Sequence, residues 1–213
     1  MKNLFTNQLR KQLSASRVIA TVTIEKVEDA KPLAEALLSG GVHAVEVTLR
    51  TPLALEAMRN ITQNFPELLV MAGTVITPQQ VKQVQDAGAV CAVAPGMNRR
   101  VVEAALSVGL PFAPGIATPS EIEAALEYDC DLLKYFPAES MGGLRYLKNI
   151  QAPYAHFGLK FIPLGGLNSK NAGEYLKEDC ILAIGGSWIA SADAICSGDW
   201  NGIKQRAAAI KKI

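Results

Sequence analysis

Short apolar segments alternate along the chain with longer segments in which apolar residues recur at every third or fourth position. The short segments are typical of strands that are buried on both faces, and the longer ones are typical of amphipathic helices. Thr-Pro pairs at 77–78 and 118–119 are suited to begin two of the helices. The pattern predicts eight strands, at residues 17–24, 43–49, 68–73, 90–95, 110–115, 131–136, 159–164 and 180–185.

The alternation predicts an α/β protein built on parallel strands. Eight strand–helix units within 213 residues favour a closed (β/α)8 TIM barrel that forms a single domain over residues 1–213. A helix at roughly 3–13 precedes the first strand and is expected to close the bottom of the barrel. The alternative is an open doubly wound sheet, which normally carries a glycine-rich turn after its first strand. Here "EKVEDA" follows that strand and contains no glycine.

The amino-acid composition indicates which binding partners and which cellular compartment to expect for this protein. The 21 Lys and Arg residues balance 20 Asp and Glu residues, so no basic excess points to a nucleic acid. No apolar run reaches the length of a membrane span, and the N-terminus does not resemble a secretory signal. The four cysteines are widely separated and lack the spacing of a metal site, which favours reduced thiols and a cytoplasmic location.

A lysine stands inside the apolar strand "DLLKYF", where an unpaired charge is costly. Lys134 is therefore exposed at the strand end, paired in a structural ion pair, or used as a Schiff-base nucleophile, since desolvation favours the neutral amine. Glu46 is the corresponding charge in "VEVTL", and strand alternation places it on the face opposite to the flanking valines. If that face points into the barrel, Glu46 meets Lys134. A nucleophilic amine beside a carboxylate that moves protons is what imine chemistry requires.

Other polar and glycine residues follow the strands at the end where barrel enzymes hold their active sites. Arg50 is suited to bind a carboxylate, and Thr74 to donate a hydroxyl to the same group, although a surface arginine and a helix cap are the plainer interpretations. Two Gly-Gly pairs follow the last two strands just before helical segments, which favours phosphate binding over simple turns. The phosphate candidates are Gly165, Gly166, Gly185, Gly186 and Ser187. With only His43 and His156 and no His/Asp cluster, no catalytic metal is predicted.

Taken together, these segments resemble one enzyme family. Their order and spacing are similar to those of the 2-keto-3-deoxy-6-phosphogluconate (KDPG) and 2-keto-4-hydroxyglutarate (KHG) aldolases, over about residues 17–200. The resemblance implies a class I aldolase, a homotrimeric (β/α)8 barrel that uses no metal or cofactor and acts in the Entner–Doudoroff pathway. The segments that carry it are "VEVTLRTP", "AGTV", "APG", "KYFPAE", "GGL" and "GGSW".

The resemblance also implies roles for individual residues. Lys134 falls on the Schiff-base lysine of the family and Glu46 on its acid/base carboxylate. The implied reaction cleaves KDPG, a small phosphorylated keto acid, to pyruvate and glyceraldehyde 3-phosphate. Arg50 and Thr74 fall on the positions that contact the substrate carboxylate, and Pro95 and Phe136 fall on those that pack around the keto acid. The positions of the family's phosphate loops correspond to Gly165, Gly166, Gly185, Gly186 and Ser187.

One departure from the family leaves the substrate open. Leu164 stands in "PLGGL", where the family often has a threonine near the substrate hydroxyls. A related aldolase that acts on the galactonate epimer or on 4-hydroxy-2-oxoglutarate is therefore an alternative. A metal-dependent phosphosugar epimerase would need His and Asp ligands at the strand ends, which the sequence lacks. A phosphate-binding barrel without catalysis would have no use for both Lys134 and Glu46.

Overall fold

Strands and helices alternate through residues 4–210, the part of the chain that a computed structural model describes. Each predicted strand overlaps an observed one, although the fifth is split in two and the eighth begins only at Ile184. The strands are β1 (Val18–Val22), β2 (Ala44–Thr48), β3 (Leu69–Gly73), β4 (Cys91–Val93), β5 (Phe112–Ala113), β6 (Gly115–Ile116), β7 (Leu132–Tyr135), β8 (Lys160–Pro163) and β9 (Ile184–Gly186). The helices are α1 (Asn7–Ser16), α2 (Ala30–Gly40), α3 (Ala54–Asn64), α4 (Pro78–Asp86), α5 (Arg99–Val108), α6 (Pro119–Leu126), α7 (Gly143–Gln151), α8 (Ala172–Tyr175), α9 (Ala192–Cys196) and α10 (Trp200–Ala209), with 3-10 turns at Val27–Asp29 and Ala152–Phe157.

The strands form two parallel sheets. Six strands run in the order β5-β4-β3-β2-β1-β9, and three run in the order β6-β7-β8. The predicted α/β class with parallel strands is confirmed, but the single closed ladder of a (β/α)8 barrel is not observed in residues 4–210. The physical reason lies at Pro114, which separates β5 from β6 and has no N–H to donate to a ladder. On the other side the sheets approach each other at an isolated bridge between Phe161 and Ile181.

Both sheets contribute side chains to one buried apolar cluster, which we call the interior cluster. Because side chains on one face of a strand recur every second residue, the positions two residues beyond Ile19, Ala44 and Leu132 point to the same side as these apolar residues. Those positions are Thr21, Glu46 and Lys134. The interior cluster consists of Phe5, Leu9, Leu13, Ile19, Ala44, Met71, Cys91, Val93, Ala113, Leu132, Ile162, Leu164 and Ala183.

The helix before the first strand belongs to this cluster. It begins at Asn7, after Thr6, whose hydroxyl accepts the N–H of Leu9 at 3.2 Å. It thus begins later than the predicted 3–13, and residue 3 lies outside the described residues. Leu9 and Leu13, four residues apart and so on one helix face, pack against residues near the beginnings of the strands. An ion pair between Arg10 and Asp131 ties the helix to β7.

Truncating the inner face of α1 is expected to destabilise the fold. Leu13 is fully buried, so Leu13→Ala leaves a cavity that costs about 2–5 kcal/mol of the free energy of unfolding. Urea denaturation measures this loss. Gln12→Ala is the control, because Gln12 is exposed on the same helix and the change should shift the free energy of unfolding by less than about 0.5 kcal/mol. Equal stability of the two variants would contradict the packing role of α1.

The helix starts follow from local hydrogen bonding. The hydroxyl of Thr77 accepts the N–H of Gln80, whose side chain in turn accepts the N–H of Thr77. At α6 the N–H and the hydroxyl of Thr118 both donate to Oε2 of Glu121, at 2.9 and 2.8 Å. The predicted Thr-Pro starts are therefore confirmed. No helix between residues 4 and 210 combines the length and the apolar character that crossing a membrane requires.

Candidate active site

The structure brings the two unusual strand charges together. Lys134 on β7 and Glu46 on β2 belong to different sheets, yet Nζ of the lysine donates to Oε1 of the glutamate at 2.9 Å. Lys134 is 5% exposed and Glu46 is 1% exposed. The prediction that alternation would direct Glu46 towards Lys134 is confirmed. A buried pair of this kind strongly favours keeping both partners, because either charge alone would be uncompensated.

The Glu46 carboxylate is fixed on several sides. Its second oxygen, Oε2, accepts the hydroxyl of Thr21 at 3.2 Å. Gly73 on β3 leaves the room that the carboxylate occupies, since a Cβ placed there would lie 2.1 Å from Oε1. Below it, burial and then the charge of Glu46 raise the pKa of the Cys91 thiol, which indicates a floor shielded from water.

A cavity of about 380 Å³ opens above this pair, a volume that suits a small-molecule ligand. It contains seven of the predicted site residues in its lining. The interior cluster lies beneath it, so the polar pair marks the boundary between the apolar interior and the cavity. The lining consists of Thr21, Thr23, Arg50, Lys134, Phe136, Leu164, Gly165, Gly166, Leu167, Gly186, Ser187, Ala190 and Ala192.

One wall of the cavity beside Lys134 is apolar. The ring centroid of Phe136 lies 5.3 Å from Nζ of Lys134, within the range of a cation–π contact. Leu164 is buried and belongs to both the lining and the interior cluster. The amine therefore has a carboxylate on one side and hydrocarbon on another, so a reaction at Nζ takes place largely away from bulk water.

The opposite wall presents groups for an anion. Arg50 is exposed at the end of β2 and lines the cavity, as expected for a residue that holds a carboxylate. The hydroxyl of Thr48 donates to the carbonyl of Val22 at 2.9 Å and lies 3.1 Å from the hydroxyl of Thr23. Because Thr48 has a single hydroxyl proton, Thr23 is the donor in that contact, so the proton of Thr23 is used within the protein and Arg50 is left to bind an anion.

The loop after β8 is shaped to present backbone N–H groups. Gly165 and Gly166 have positive φ angles of 97° and 84°. The carbonyl of Gly165 accepts the N–H of Glu139 at 3.0 Å, and the carbonyl of Gly166 accepts the amides of Asn168 and Asn171, each at 3.2 Å. Since the C=O and N–H of one peptide point in opposite directions, these contacts turn the following N–H groups the other way. The loop can thus offer them to an anion.

The loop after β9 differs from the sequence prediction in one respect. Gly186 and Ser187 line the cavity, but Gly185 lies behind it, where a Cβ would come within 2.6 Å of Leu164. Helices were predicted just after each glycine pair. Instead, α8 and α9 begin six residues after Gly166 and Gly186, at Ala172 and Ala192. Backbone N–H groups of the loops, rather than helix ends, therefore carry any phosphate contact.

Besides Glu46 and Gly185, two further predicted residues lie outside the lining. Thr74 follows β3 with a positive φ of 61°, which is uncommon for a residue other than glycine, and its side chain is not among those that line the cavity. Pro95 is exposed, and its backbone rather than its ring packs inward, where a Cβ on Gly115 would lie 2.3 Å from the Pro95 carbonyl carbon. The structure therefore does not bring Thr74 and Pro95 to the cavity that holds Lys134.

Several lining residues were not predicted. Thr21 and Thr23 stand in "IATVT", where strand alternation alone places both hydroxyls on the same face. That signal was available, but threonine is common in strands for packing reasons and does not by itself indicate a site. Leu167, Ala190 and Ala192 carry no chemical signal. No group of three or more His, Cys, Asp and Glu side chains within residues 4–210 is placed to hold a metal ion.

Comparison with known proteins agrees with the motifs. A family model described as "KDPG and KHG aldolase" matches residues 9–206. The chain is 46% identical over 189 residues to 2-dehydro-3-deoxy-phosphogluconate aldolase of Treponema pallidum (strain Nichols), which covers 89% of each chain. It is 40% identical over 195 residues to KHG/KDPG aldolase of Escherichia coli (strain K12), covering 92% of this chain and 91% of that one.

A solved structure is similar over almost the whole fold. It is a crystal structure of KDPG aldolase from Legionella pneumophila, in which pyruvate was captured at low pH as a covalent carbinolamine intermediate. The TM-score is 0.89 at 42% identity, over 94% of this chain and 97% of that one. The similarity therefore extends from the motifs to the whole described fold.

Proposed function

The chain belongs to the KDPG and KHG aldolase family, and from that premise we propose that it cleaves 2-keto-3-deoxy-6-phosphogluconate to pyruvate and glyceraldehyde 3-phosphate through a Schiff base on Lys134. Members of the family are aldolases and hence lyases. The observation that carries the proposal is the buried contact of 2.9 Å between Lys134 and Glu46 at the floor of the cavity. A nucleophile within hydrogen-bond reach of its base is the arrangement that covalent catalysis requires.

The first half of the proposed reaction forms the imine. A proton moves from Nζ of Lys134 to Oε1 of Glu46 along their hydrogen bond, which leaves a neutral amine. The amine adds to the C2 ketone and gives a carbinolamine, and Glu46 returns the proton so that water can leave. The product is a protonated imine beside the ring of Phe136, whose face favours a cation.

The second half breaks the C3–C4 bond. The C4 hydroxyl loses its proton to the Glu46 carboxylate, the electron pair of the C3–C4 bond moves into a C2–C3 double bond, and the iminium nitrogen accepts the displaced pair. Glyceraldehyde 3-phosphate leaves as the aldehyde. Protonation of the enamine at C3 and hydrolysis of the imine then release pyruvate and restore Lys134. Glu46 is positioned to supply the C3 proton, since it contacts the atom that carries the substrate.

Recognition of the two ends of the substrate follows from the lining. We assign the substrate carboxylate to Arg50, whose guanidinium lines the cavity. We assign the phosphate to the glycine loops after β8 and β9, through Gly166 and Ser187. The cavity is lined by residues at the strand ends of both sheets, which suits a substrate with an anion at each end.

Reductive trapping tests the proposal. The protein is incubated with pyruvate, reduced with borohydride, and mapped by peptide mass spectrometry. A pyruvate-derived adduct on Lys134 is the expected result. Absence of an adduct in folded protein would overturn the Schiff-base mechanism, and so would an adduct confined to another lysine.

A change in the glycine loop is expected to weaken binding of the phosphorylated end alone. In Gly166→Ala, the new Cβ would lie 2.6 Å from the Cβ of Glu139, and the φ of 84° disfavours any side chain. We expect KM for KDPG to rise by about 10- to 100-fold, equivalent to about 1.4–2.7 kcal/mol of lost binding. Because pyruvate has no phosphate, the yield of its trapped adduct should change by less than about twofold.

The control for this variant is Gly96→Ala, because a Cβ on Gly96 would meet no atom within 4 Å. Steady-state kinetics with KDPG measure both variants. If Gly166→Ala reduced KDPG cleavage and pyruvate trapping by the same factor, the loop would act on the reacting centre, and the assignment of the phosphate to it would be wrong.

Leu164 favours a second candidate within the same reaction class. Its buried apolar side chain lines the cavity where a hydroxyl donor would assist a polyhydroxylated substrate. An aldolase with greater preference for 4-hydroxy-2-oxoglutarate, or for the galactonate epimer, would use the same Lys134 and Glu46. The ratio of kcat/KM for the three substrates decides between them, since only the aldehyde half differs.

The same proposal extends to the assembly and the whole fold. We propose that the two sheets, which share the interior cluster, are parts of one (β/α)8 barrel domain over residues 1–213, and that the enzyme is a cytoplasmic homotrimer. Leu53 and Ile76 follow neighbouring strands and are 38% and 48% exposed, which supports a subunit contact near the site. Light scattering should give three times the 22.8 kDa of one chain.

A further inference from the structure

We propose that Thr21 is a positioning residue for the reaction, because its hydroxyl holds Oε2 of Glu46 so that Oε1 faces the nitrogen that carries the substrate. This inference rests on the proposed function and adds a residue to it. The hydroxyl of Thr21 donates to Oε2 at 3.2 Å, while Oε1 accepts Nζ of Lys134 at 2.9 Å. The two oxygens of one carboxylate thus have different partners.

The strand register makes this contact a property of the fold. Thr21 on β1 and Glu46 on β2 are direct partners in the parallel ladder, so their side chains leave neighbouring strands on the same face. The adjacent partners on the other side, Glu46 and Met71, place a buried apolar side chain there instead. Within residues 4–210, Thr21 is therefore the neighbour that supplies a hydrogen bond to Oε2.

The Thr21 hydrogen bond matters because the Glu46 carboxylate could otherwise rotate about its Cγ–Cδ bond. A proton must leave or reach the substrate at one defined oxygen, and two hydrogen bonds to different oxygens fix the plane of the group. Gly73 makes this position possible, since its missing side chain leaves the space that Oε1 occupies. The remaining freedom, rotation that exchanges the two oxygens, is what the Thr21 hydroxyl restrains.

The hydroxyl of Thr48, on the neighbouring strand β2, shows how a structural role differs from a positioning role. Thr48 is 1% exposed and donates to a backbone carbonyl, that of Val22. Thr21 is partly exposed, lines the cavity and donates to the reacting carboxylate. Its contact thus lies at the point where substrate and Glu46 meet.

The test separates imine formation from proton transfer at carbon. In D2O, Glu46 removes a proton from the methyl carbon of the pyruvate imine, the electron pair forms the C2–C3 double bond, and the iminium nitrogen accepts the displaced pair. Return of a deuteron to that carbon labels pyruvate, which proton NMR follows. Borohydride trapping at saturating pyruvate measures the imine itself. The variants are Thr21→Val, which keeps the shape and removes the hydroxyl, Thr21→Ala, and Thr21→Ser, which keeps the hydroxyl.

We expect methyl exchange and kcat for KDPG cleavage to fall by roughly 10- to 100-fold in Thr21→Val and Thr21→Ala, the size of a lost hydrogen bond to a charged group. The adduct yield at saturating pyruvate and the KM for KDPG should stay within about twofold of the wild-type values. Thr21→Ser should restore the exchange rate to within about threefold of the wild-type rate. Exchange at the wild-type rate in Thr21→Val or Thr21→Ala, or an equal defect in Thr21→Ser, would overturn the inference. Failure of the wild-type protein to form an adduct would instead overturn the proposed function.

Discussion

Lys134→Met is expected to abolish aldol cleavage. Methionine has a similar length but no amine, so neither the carbinolamine nor the imine can form. We expect kcat/KM for KDPG to fall by at least about 10⁴-fold, as is typical when a covalent nucleophile is removed. Borohydride trapping with pyruvate should give no adduct, and steady-state assays with KDPG measure the loss of rate.

The matched control is Lys160→Met on the neighbouring strand. Lys160 is the ladder partner of Leu132, and its Nζ donates to the carbonyl of Asp179 at the surface. We expect this variant to keep wild-type activity and a normal adduct on Lys134. Retained cleavage in Lys134→Met would show that the imine does not form on Lys134.

The same substitution is expected to change stability, because it leaves the Glu46 carboxylate buried without its partner. Breaking a buried pair in this way costs about 3–5 kcal/mol of the free energy of unfolding. The double variant Glu46→Gln with Lys134→Met removes both charges and should recover most of that loss while remaining inactive. Urea denaturation of the three proteins distinguishes loss of catalysis from loss of folding.

Glu46→Gln is expected to slow the reaction without preventing adduct formation. The amide has the shape of the carboxylate and can still accept the Thr21 hydroxyl, but it cannot carry a proton between Lys134 and the substrate. We expect kcat to fall by about 10²- to 10⁴-fold, the usual contribution of general acid–base catalysis. Trapping should still label Lys134, because the amine that adds to pyruvate is unchanged in this variant.

Glu56→Gln provides the control for this change, since Glu56 is exposed in the first turn of α3, away from the cavity. It should retain the wild-type kcat. Stopped-flow kinetics of a single turnover would locate the slow step in Glu46→Gln. A kcat within twofold of the wild-type value would contradict a proton-transfer role for Glu46.

The positions of the strands could be predicted because buried parallel strands leave a clear apolar pattern. The pairing of the sheets could not, since it depends on single residues. In "LPFAPG", Pro114 reads as the end of a strand, whereas it interrupts one and lets the two halves pair with different neighbours. The weak contact at Phe161 and Ile181 likewise follows from local geometry that the apolar pattern does not contain.

Within the candidate site, the residues inside the strands could be predicted, whereas those beyond the strand ends could not. A buried charge in an apolar strand needs a partner, so alternation together with the expected barrel interior could pair Lys134 with Glu46. Residues beyond a strand end follow the turn that the backbone takes there. Thr74 and Pro95 stand next to the right strands, but their loops direct them away from the cavity lining. The contact between Thr21 and Glu46 requires the register of β1 against β2, which the sequence does not specify.

The wide separation of Glu46 and Lys134 along the chain has a practical consequence for protein engineering. Gly109 lies on an exposed turn between α5 and β5, with no atom within 4 Å of a Cβ placed there. A backbone cut at that turn would leave Glu46 on one fragment and Lys134 on the other. Neither fragment would hold a complete catalytic pair, and their reassembly would restore one. Aldol cleavage would then report fragment complementation directly, which makes this fold a starting point for a split-enzyme sensor.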